Sequence, residues 1–212
     1  MKLLGMLDSP YVRRVAIALR LLELPFEHEP LSVFGAYDEF SRVNPVVKAP
    51  TLVCGDGTVL MESGLIIDHL ETLAGRSLWP ADAAARLRAL RVTGLALAAC
   101  EKTVQDLYER SLRPSEKRHP AWVDRVAAQR LAALRALDAE LAAHPLAAEE
   151  GRLTHAGIAA AVAWRFMKIK LEQPLDDAAC PALAGYGARL EALPAFARTP
   201  PDETVKLVGR PR

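Results

Sequence analysis

Apolar positions in the first part of the chain follow two different periods. Residues 2–7 form a short apolar run and residues 26–31 alternate between apolar and polar, which predicts two strands. Between these runs, apolar residues recur at helical spacing: Val12, Val15, Ala16, Leu19 and Leu22. Asp8-Ser9-Pro10 and Pro25 flank the run as typical helix boundaries. A strand, a helix and a strand in this order predict a crossover that makes the two strands parallel.

Residues 47–70 carry a second group of structural signals. Two β-branched and apolar segments, at 51–53 and 58–61, flank Cys54-Gly-Asp-Gly57, a turn sequence that tolerates positive φ, and together they predict a hairpin. An amphipathic run at 63–73 then predicts a helix. With a short irregular helix at 36–43, the first 75 residues are expected to follow the order β-α-β-α-β-β-α, as a mixed sheet covered by helices.

The pattern breaks between residues 75 and 82, where Gly, Pro and a single Trp interrupt the periodicity. Beyond this break the chain is rich in alanine and leucine at helical spacing. We therefore expect an α/β domain at 1–75, a linker at 76–82 and an all-α domain at 83–212. The predicted helices of the second domain span residues 83–109, 121–143, 154–169 and 181–193.

Composition and charge narrow the possible partners. The 212 residues carry a net charge of +1, with no basic excess that would favour nucleic acid. Cys54, Cys100 and Cys180 are widely spaced and have no neighbours at metal-ligand spacing, which is typical of reduced thiols in a cytoplasmic protein without a metal site. The first residues lack the apolar core of a secretory signal, and no apolar run reaches the length of a membrane span. We expect a soluble cytoplasmic protein.

Two local features of the hairpin region suit a peptide-like ligand. Pro50 lacks an N–H and pushes Ala49 into an extended conformation, so the Ala49 backbone can pair with a passing peptide and the bond between the two residues can be cis. Glu62 and Ser63 open the following helix, where a hydroxyl beside unpaired backbone N–H groups is suited to a carboxylate. Each feature also has a structural explanation, since the proline could mark a strand edge and the serine could be a helix cap.

Ser9 lies where the first predicted strand meets the first predicted helix. Its hydroxyl is expected near the helix N-terminus with Arg13 and Arg14 one turn inside, an environment that favours an anion. The five histidines lie in unrelated contexts, so nothing would activate Ser9 as a nucleophile and a serine hydrolase is not expected. A simple helix cap is the alternative for this residue.

The order of elements and three short motifs resemble the cytosolic glutathione transferases. Asn44-Pro45-x-x-Lys48-x-Pro50 is similar to the family motif N-P-x-G-K-x-P, and Glu62-Ser63 is similar to its E-S pair. Arg113-Pro-Ser-Glu116, ahead of a predicted helix, resembles the bacterial members. The resemblance covers essentially the whole chain. It implies a thioredoxin-like α/β domain that binds glutathione, followed by an all-α domain, which together form the GST fold.

The resemblance implies a role for each matching residue. Pro50 would be cis, and Ala49 would pair its backbone with the cysteinyl part of glutathione. Glu62 and Ser63 would hold the γ-glutamyl ammonium and carboxylate, and Lys48 would reach the other end of the tripeptide. Glutathione would thus be the co-substrate, and no metal is implied.

Ser9 would hydrogen-bond the glutathione sulfur as an orienting donor. A thiol with a pKa of about 8.5 is mostly protonated at neutral pH, and a donor beside a helix N-terminus favours the thiolate. The chain reads Ser9-Pro-Tyr-Val12 where related folds carry Cys-x-x-Cys, which excludes protein-thiol chemistry at this corner. Met6-Leu7 stand where other classes carry a tyrosine, so a serine-type enzyme is the expectation.

The chain also departs from the family pattern at two places. Val47 stands where glycine is usual. Thr154-His-Ala-Gly157 replaces a Thr-x-x-Asp capping box at the start of the central helix. We expect a lost cap interaction there, at a cost of about 0.5–2 kcal/mol, and a helix start that is stabilised in another way.

Three functions fit these expectations. The first is a glutathione transferase whose bound thiolate attacks a small hydrophobic electrophile, as in detoxification, with Tyr11, Val104 and Tyr108 lining a pocket between the two halves. The second is a non-catalytic module of the same fold that serves binding or protein contacts, and the third is a glutathione-dependent isomerase or dehalogenase. The complete ligand set favours the first. The resemblance also implies a homodimer.

Overall fold

The computed structural model describes residues 1–173 and 175–202 of the chain. In this range a four-stranded sheet and the helices follow the predicted order. The strands are β1 (Lys2–Leu4), β2 (Glu27–Glu29), β3 (Thr51–Val53) and β4 (Val59–Met61). The helices are α1 (Pro10–Leu21), α2 (Tyr37–Val43), α3 (Ser63–Ala74), α4 (Ala83–Leu112), α5 (Pro120–Ala143), α6 (His155–Lys170), α7 (Pro181–Glu191) and α8 (Pro194–Ala197).

The sheet has the strand order β2-β1-β3-β4. Strand β1 is parallel to β2 and antiparallel to β3, and β3 and β4 form the antiparallel hairpin, so the predicted mixed sheet is confirmed. Leu3 pairs with Leu52 on one side and with His28 on the other. Leu3, Leu4 and Leu52 are fully buried, and each such side chain contributes about 1.5–3 kcal/mol of hydrophobic stabilisation.

Helix α1 buries the apolar stripe that its sequence predicts. Val12, Val15 and Leu19 are fully buried. Ser9 is the N-cap, and a proline takes the first helical turn, where its missing N–H costs no hydrogen bond. Strand β1 is shorter than predicted because the chain leaves it at Gly5, whose φ of +130° is accessible to glycine and rarely to other residues.

The chain divides into two compact units. The first unit comprises Met1–Leu78 together with the segment that begins at Pro194, and the second comprises Trp79–Leu193. Residues 194–202 therefore belong to the first unit, whereas the sequence analysis assigned them to the all-α domain. Arg13 shows how it is held, because its Nε donates to the Thr199 carbonyl at 2.9 Å and its guanidinium lies 5.6 Å above the Phe196 ring.

The second unit is all-helical. Helix α6 packs against α4 and α7 and is buried on almost every side, and α4 also packs along α5. No helix among the described residues is both long enough and apolar enough to cross a bilayer.

The start of α6 keeps one of the two hydrogen bonds of a capping box. Thr154 is the N-cap, and its Oγ1 accepts a hydrogen bond from Gly157 N at 3.5 Å, so the threonine half of the capping box is present. Only the reciprocal bond from an acidic residue is missing, because Gly157 has no side chain. A side chain there would collide with the hydroxyl of Tyr186, which donates to the Ala147 carbonyl at 2.9 Å.

Candidate active site

Asn44 organises the loop that leads into β3. Its side chain is 3% exposed, its Nδ2 donates to Thr51 Oγ1 at 2.8 Å, and its Oδ1 accepts from Val46 N at 3.0 Å. The Thr51 hydroxyl donates in turn to the Lys48 carbonyl at 2.7 Å. These buried bonds hold the two ends of the loop against each other, so the residues between them have a fixed conformation.

The loop that Asn44 closes contains the Ala49–Pro50 bond. This bond is cis, as the resemblance implies. Pro50 is buried, Ala49 is half-buried and Lys48 is exposed. Val47 has a φ of +50°, in the left-handed region that favours glycine, which gives a physical reason for the glycine that the family carries at this position.

Gly5 sets the distance between this loop and the start of α1. A β-carbon on Gly5 would lie 2.6 Å from Val12 Cγ2 and 3.0 Å from Ala49 Cβ, so the two segments approach as closely as a glycine allows. The sequence analysis did not single out Gly5. The sequence feature that could have indicated its role is its position directly after β1, where the chain has to change direction.

Ser9 lies at the N-terminus of α1 and is half-buried. Its Oγ accepts from Val12 N at 3.5 Å, and its own N–H donates to the Met6 carbonyl at 3.1 Å. Because the hydroxyl acts as an acceptor toward the helix, its proton can be donated to a ligand. This geometry allows the predicted role of Ser9 as a donor to a sulfur atom, and that role stays a prediction.

Glu62 has a different arrangement from the one that its sequence suggested. It is the N-cap of α3, with a φ of +75°, and its Oε2 accepts from Gly64 N at 2.9 Å and from Leu65 N at 3.1 Å. The expectation that these N–H groups are unpaired is therefore wrong, because the side chain of the same helix start caps them. The exposed Glu62 carboxylate occupies the place that was predicted for a ligand carboxylate.

Ser63 is buried beside this cap. Its Oγ donates to Glu62 Oε1 at 3.3 Å and accepts from Arg14 Nη1, also at 3.3 Å. Arg14 was grouped with Arg13 in the sequence analysis as a general source of positive charge. The structure separates them, since Arg14 contacts Ser63 while Arg13 contacts the segment at Thr199.

The three residues predicted for an electrophile pocket lie on two helices. Tyr11 is half-buried on α1 in the first unit, and Val104 and Tyr108 lie one turn apart on α4 in the second unit. Tyr108 is exposed and Val104 is half-buried. A pocket shared by the three residues stays a prediction.

Cys54 is a half-buried thiol in the first unit. Burial, followed by the Asp56 carboxylate, raises the pKa of the Cys54 thiol, so this sulfur is held in its neutral form, 3.7 Å from His69 Nε2. Within residues 1–173 and 175–202 there is no group of three or more His, Cys, Asp or Glu side chains placed to hold a metal ion.

Comparisons with known proteins agree with this arrangement. Residues 3–77 match the family model of the glutathione S-transferase N-terminal domain. A probable glutathione S-transferase of Oryza sativa subsp. japonica, GSTU6, is 26% identical over 98% of this chain and 91% of its own length.

Two solved structures share the fold over nearly the whole chain. A glutathione S-transferase from Methylobacterium radiotolerans, in complex with glutathione sulfonate, is 29% identical with a TM-score of 0.89, over 100% of this chain and 99% of its own. A glutathione S-transferase from Methylobacillus flagellatus, with glutathione bound, is 25% identical with a TM-score of 0.83. The similarity covers 95% of this chain and 99% of that one. The match over residues 3–77 identifies this segment as a glutathione S-transferase N-terminal domain, and the two full-length similarities show that the whole chain has the fold of these transferases.

Proposed function

We propose that this chain is a serine-type glutathione transferase, which binds glutathione in the first unit and stabilises its thiolate for attack on a small hydrophobic electrophile. The observation that carries the proposal is the close contact of Gly5 with both Val12 and Ala49. This contact brings the start of α1, with the Ser9 hydroxyl, next to the cis Ala49–Pro50 loop, so that one ligand can reach both.

The roles of the site residues follow from what each offers. Ala49 offers its backbone to the cysteinyl part of glutathione, and Lys48, exposed on the same loop, offers a cation to the far carboxylate. Ser9 donates to the sulfur, and the N-terminus of α1 adds a partial positive charge; both lower the free energy of the thiolate relative to the thiol. The attacking atom belongs to glutathione.

At the γ-glutamyl end, the proposal requires Glu62 to move. Its carboxylate now accepts from Gly64 N, Leu65 N and Ser63 Oγ, and a ligand carboxylate would take over these donors. Because Glu62 is exposed, its carboxylate can turn into water at little cost and pair with the ligand ammonium instead. Tyr11, Val104 and Tyr108 are proposed to contact the electrophile.

A homodimer and a cytoplasmic location belong to the same proposal. Apolar side chains on β4 and α3 face outward, with Met61 38% and Leu65 65% exposed. Exposed apolar side chains on adjacent elements are typical of an interface. Light scattering should therefore give a mass near twice the 23.1 kDa of one chain, and a mass of one chain would contradict this part of the proposal.

The binding and the ionisation of glutathione are tested separately. We expect the protein to be retained on immobilised glutathione, and we expect an ultraviolet difference spectrum of bound thiolate at a pH well below the free thiol pKa of about 8.5. Absence of both signals would contradict the proposal. Retention without a thiolate signal would favour the non-catalytic binding module.

A further inference from the structure

Arg14 is a buried cation that reaches the proposed ligand site through one hydroxyl group. It lies on α1 and is 4% exposed, and its Nη1 donates to Ser63 Oγ across 3.3 Å. Ser63, at the start of α3, is 1% exposed. A guanidinium is always protonated and can only donate, so the Ser63 oxygen is fixed as its acceptor.

This contact determines where the Ser63 proton points. Because the oxygen accepts from Arg14 on one side, its own O–H is directed to the other side, where it donates to Glu62 Oε1 at 3.3 Å. The three groups thus form a chain from a buried cation through a hydroxyl to a carboxylate. In such a chain the cation polarises the hydroxyl and makes it a stronger donor, and the effect is larger in a buried environment than in water.

The carboxylate at the end of the chain also accepts from two backbone N–H groups, those of Gly64 and Leu65. The acceptor site is therefore built for a carboxylate with three donors, one of them reinforced by charge. Glu62 is the present occupant, and it is exposed. When its side chain turns outward, the same donors become available to the carboxylate of a ligand.

We propose that Arg14 is a positioning residue that fixes Ser63 as a donor and thereby makes the enzyme selective for ligands whose γ-glutamyl group has a free α-carboxylate. The inference rests on the proposed function. Arg14 does not touch the ligand, and its effect passes through Ser63. It acts on binding at the γ-glutamyl end and leaves the ionisation of the sulfur, which is assigned to Ser9, unchanged.

The test is a cycle of two proteins and two ligands, measured by calorimetry. The ligands are glutathione and γ-aminobutyryl-cysteinyl-glycine, which lacks only the α-carboxylate. We expect the wild-type protein to bind glutathione at least about tenfold more tightly than the analogue. Arg14→Gln should bind the two ligands within about threefold of each other, through a loss of glutathione affinity alone. The KM for glutathione should rise while kcat at saturation stays the same.

Arg13→Gln is the matched control. Arg13 is the preceding residue and is equally buried, but it contacts Thr199 and Phe196 rather than Ser63. It should keep the wild-type discrimination between the two ligands. Circular dichroism establishes that each variant is folded.

Ser63→Ala provides a second route to the same result, also in case Arg14→Gln does not fold. This variant retains Arg14 but removes the group through which it acts, so its preference for glutathione over the analogue should fall to the same level of about threefold as in Arg14→Gln. Full discrimination in either folded variant overturns the role of Arg14. Equal binding of the two ligands by the wild-type protein overturns the inference alone, whereas no binding of glutathione by the wild-type protein overturns the proposed function.

Discussion

The hydroxyl of Tyr186 fills the space that a side chain on Gly157 would need. This relationship explains the departure from the capping box at the start of α6, because an acidic residue at position 157 cannot coexist with the present position of Tyr186. Burial of the tyrosine and its bond to the Ala147 carbonyl hold it there.

Gly157→Asp should therefore destabilise the protein, although it restores the sequence of a capping box. A restored cap would stabilise by about 1 kcal/mol, but overpacking against a buried ring costs about 1–3 kcal/mol and also breaks the Tyr186 bond. Urea denaturation measures the difference. In a Tyr186→Phe background the cost of Gly157→Asp should be smaller, and an equal cost in both backgrounds would contradict the proposed collision.

Tyr186 should make stability depend on alkaline pH. Burial raises the pKa of its phenol above the usual value of 10, so the folded state binds more protons than the unfolded state in this range. The contribution is fully present below about pH 10 and is lost as pH rises further, with a slope of up to about 1.4 kcal/mol per pH unit. Urea midpoints measured between pH 9 and pH 11 should fall more steeply for the wild-type protein than for Tyr186→Phe. Parallel slopes would contradict the assignment.

Val47→Gly should stabilise the protein. The left-handed conformation of Val47 costs about 1–2 kcal/mol for a residue with a β-carbon, while the added freedom of glycine in the unfolded chain costs about 0.5–1 kcal/mol. A net gain of about 0.5–1 kcal/mol in the free energy of unfolding is expected. Val46→Gly is the control, since Val46 has a negative φ and the same substitution should destabilise there. A loss of stability in Val47→Gly would show that its side-chain contacts outweigh the strain.

Gly5→Ala should be strongly destabilising and should weaken the proposed site. The new methyl group would meet both Val12 and Ala49, and the positive φ adds strain, so a loss of about 2–4 kcal/mol is expected. Thermal unfolding and retention on immobilised glutathione would be measured together. Gly55→Ala, at an open position in the hairpin turn, should change both by little. Wild-type stability in Gly5→Ala would mean that the α1 start and the Ala49 loop can separate freely.

Ser9→Ala should lower turnover at least about tenfold and leave the affinity for glutathione nearly intact, because the hydroxyl is assigned to the sulfur and not to the ends of the tripeptide. The same substitution removes a helix cap, so Thr154→Ala serves as a matched control. Its cap bond has the same 3.5 Å length as that of Ser9, but it lies at the start of α6. Thr154→Ala should reduce stability by about 1 kcal/mol without a loss of turnover. Unchanged turnover in Ser9→Ala would remove Ser9 from the mechanism.

The helices, the strands and the positions of the motifs could be predicted because each depends on residues that are close together in the sequence. Helical spacing placed Val12, Val15 and Leu19 in the core, and the Ala49-Pro50 dipeptide marked the loop before β3. The sequence does not reveal which side chain forms a hydrogen bond with which residue far away along the chain. Arg13 and Arg14 are neighbours, but successive residues on a helix point about 100° apart, so one reaches Thr199 and the other reaches Ser63.

The self-capping of α3 by Glu62 was missed for a related reason. In the sequence, a glutamate just before a helix is compatible with two roles, binding a ligand and capping the helix. Only its backbone conformation distinguishes the two roles. The φ of +75° at Glu62 turns its side chain back over Gly64 N and Leu65 N. The capping role of Glu62 therefore follows from its backbone conformation and not from its sequence position.

The return of the chain to the first unit has a consequence for synthesis on the ribosome. The partner of Arg13 Nε is the carbonyl of Thr199, 186 residues further along the chain, so helix α1 is synthesised long before that bond can form. The helices between Trp79 and Leu193 are complete sooner, since every residue of their unit is contiguous. Vectorial folding should thus complete the helical unit first, and a nascent chain arrested before Phe196 would still lack the segment to which Arg13 binds in the first unit.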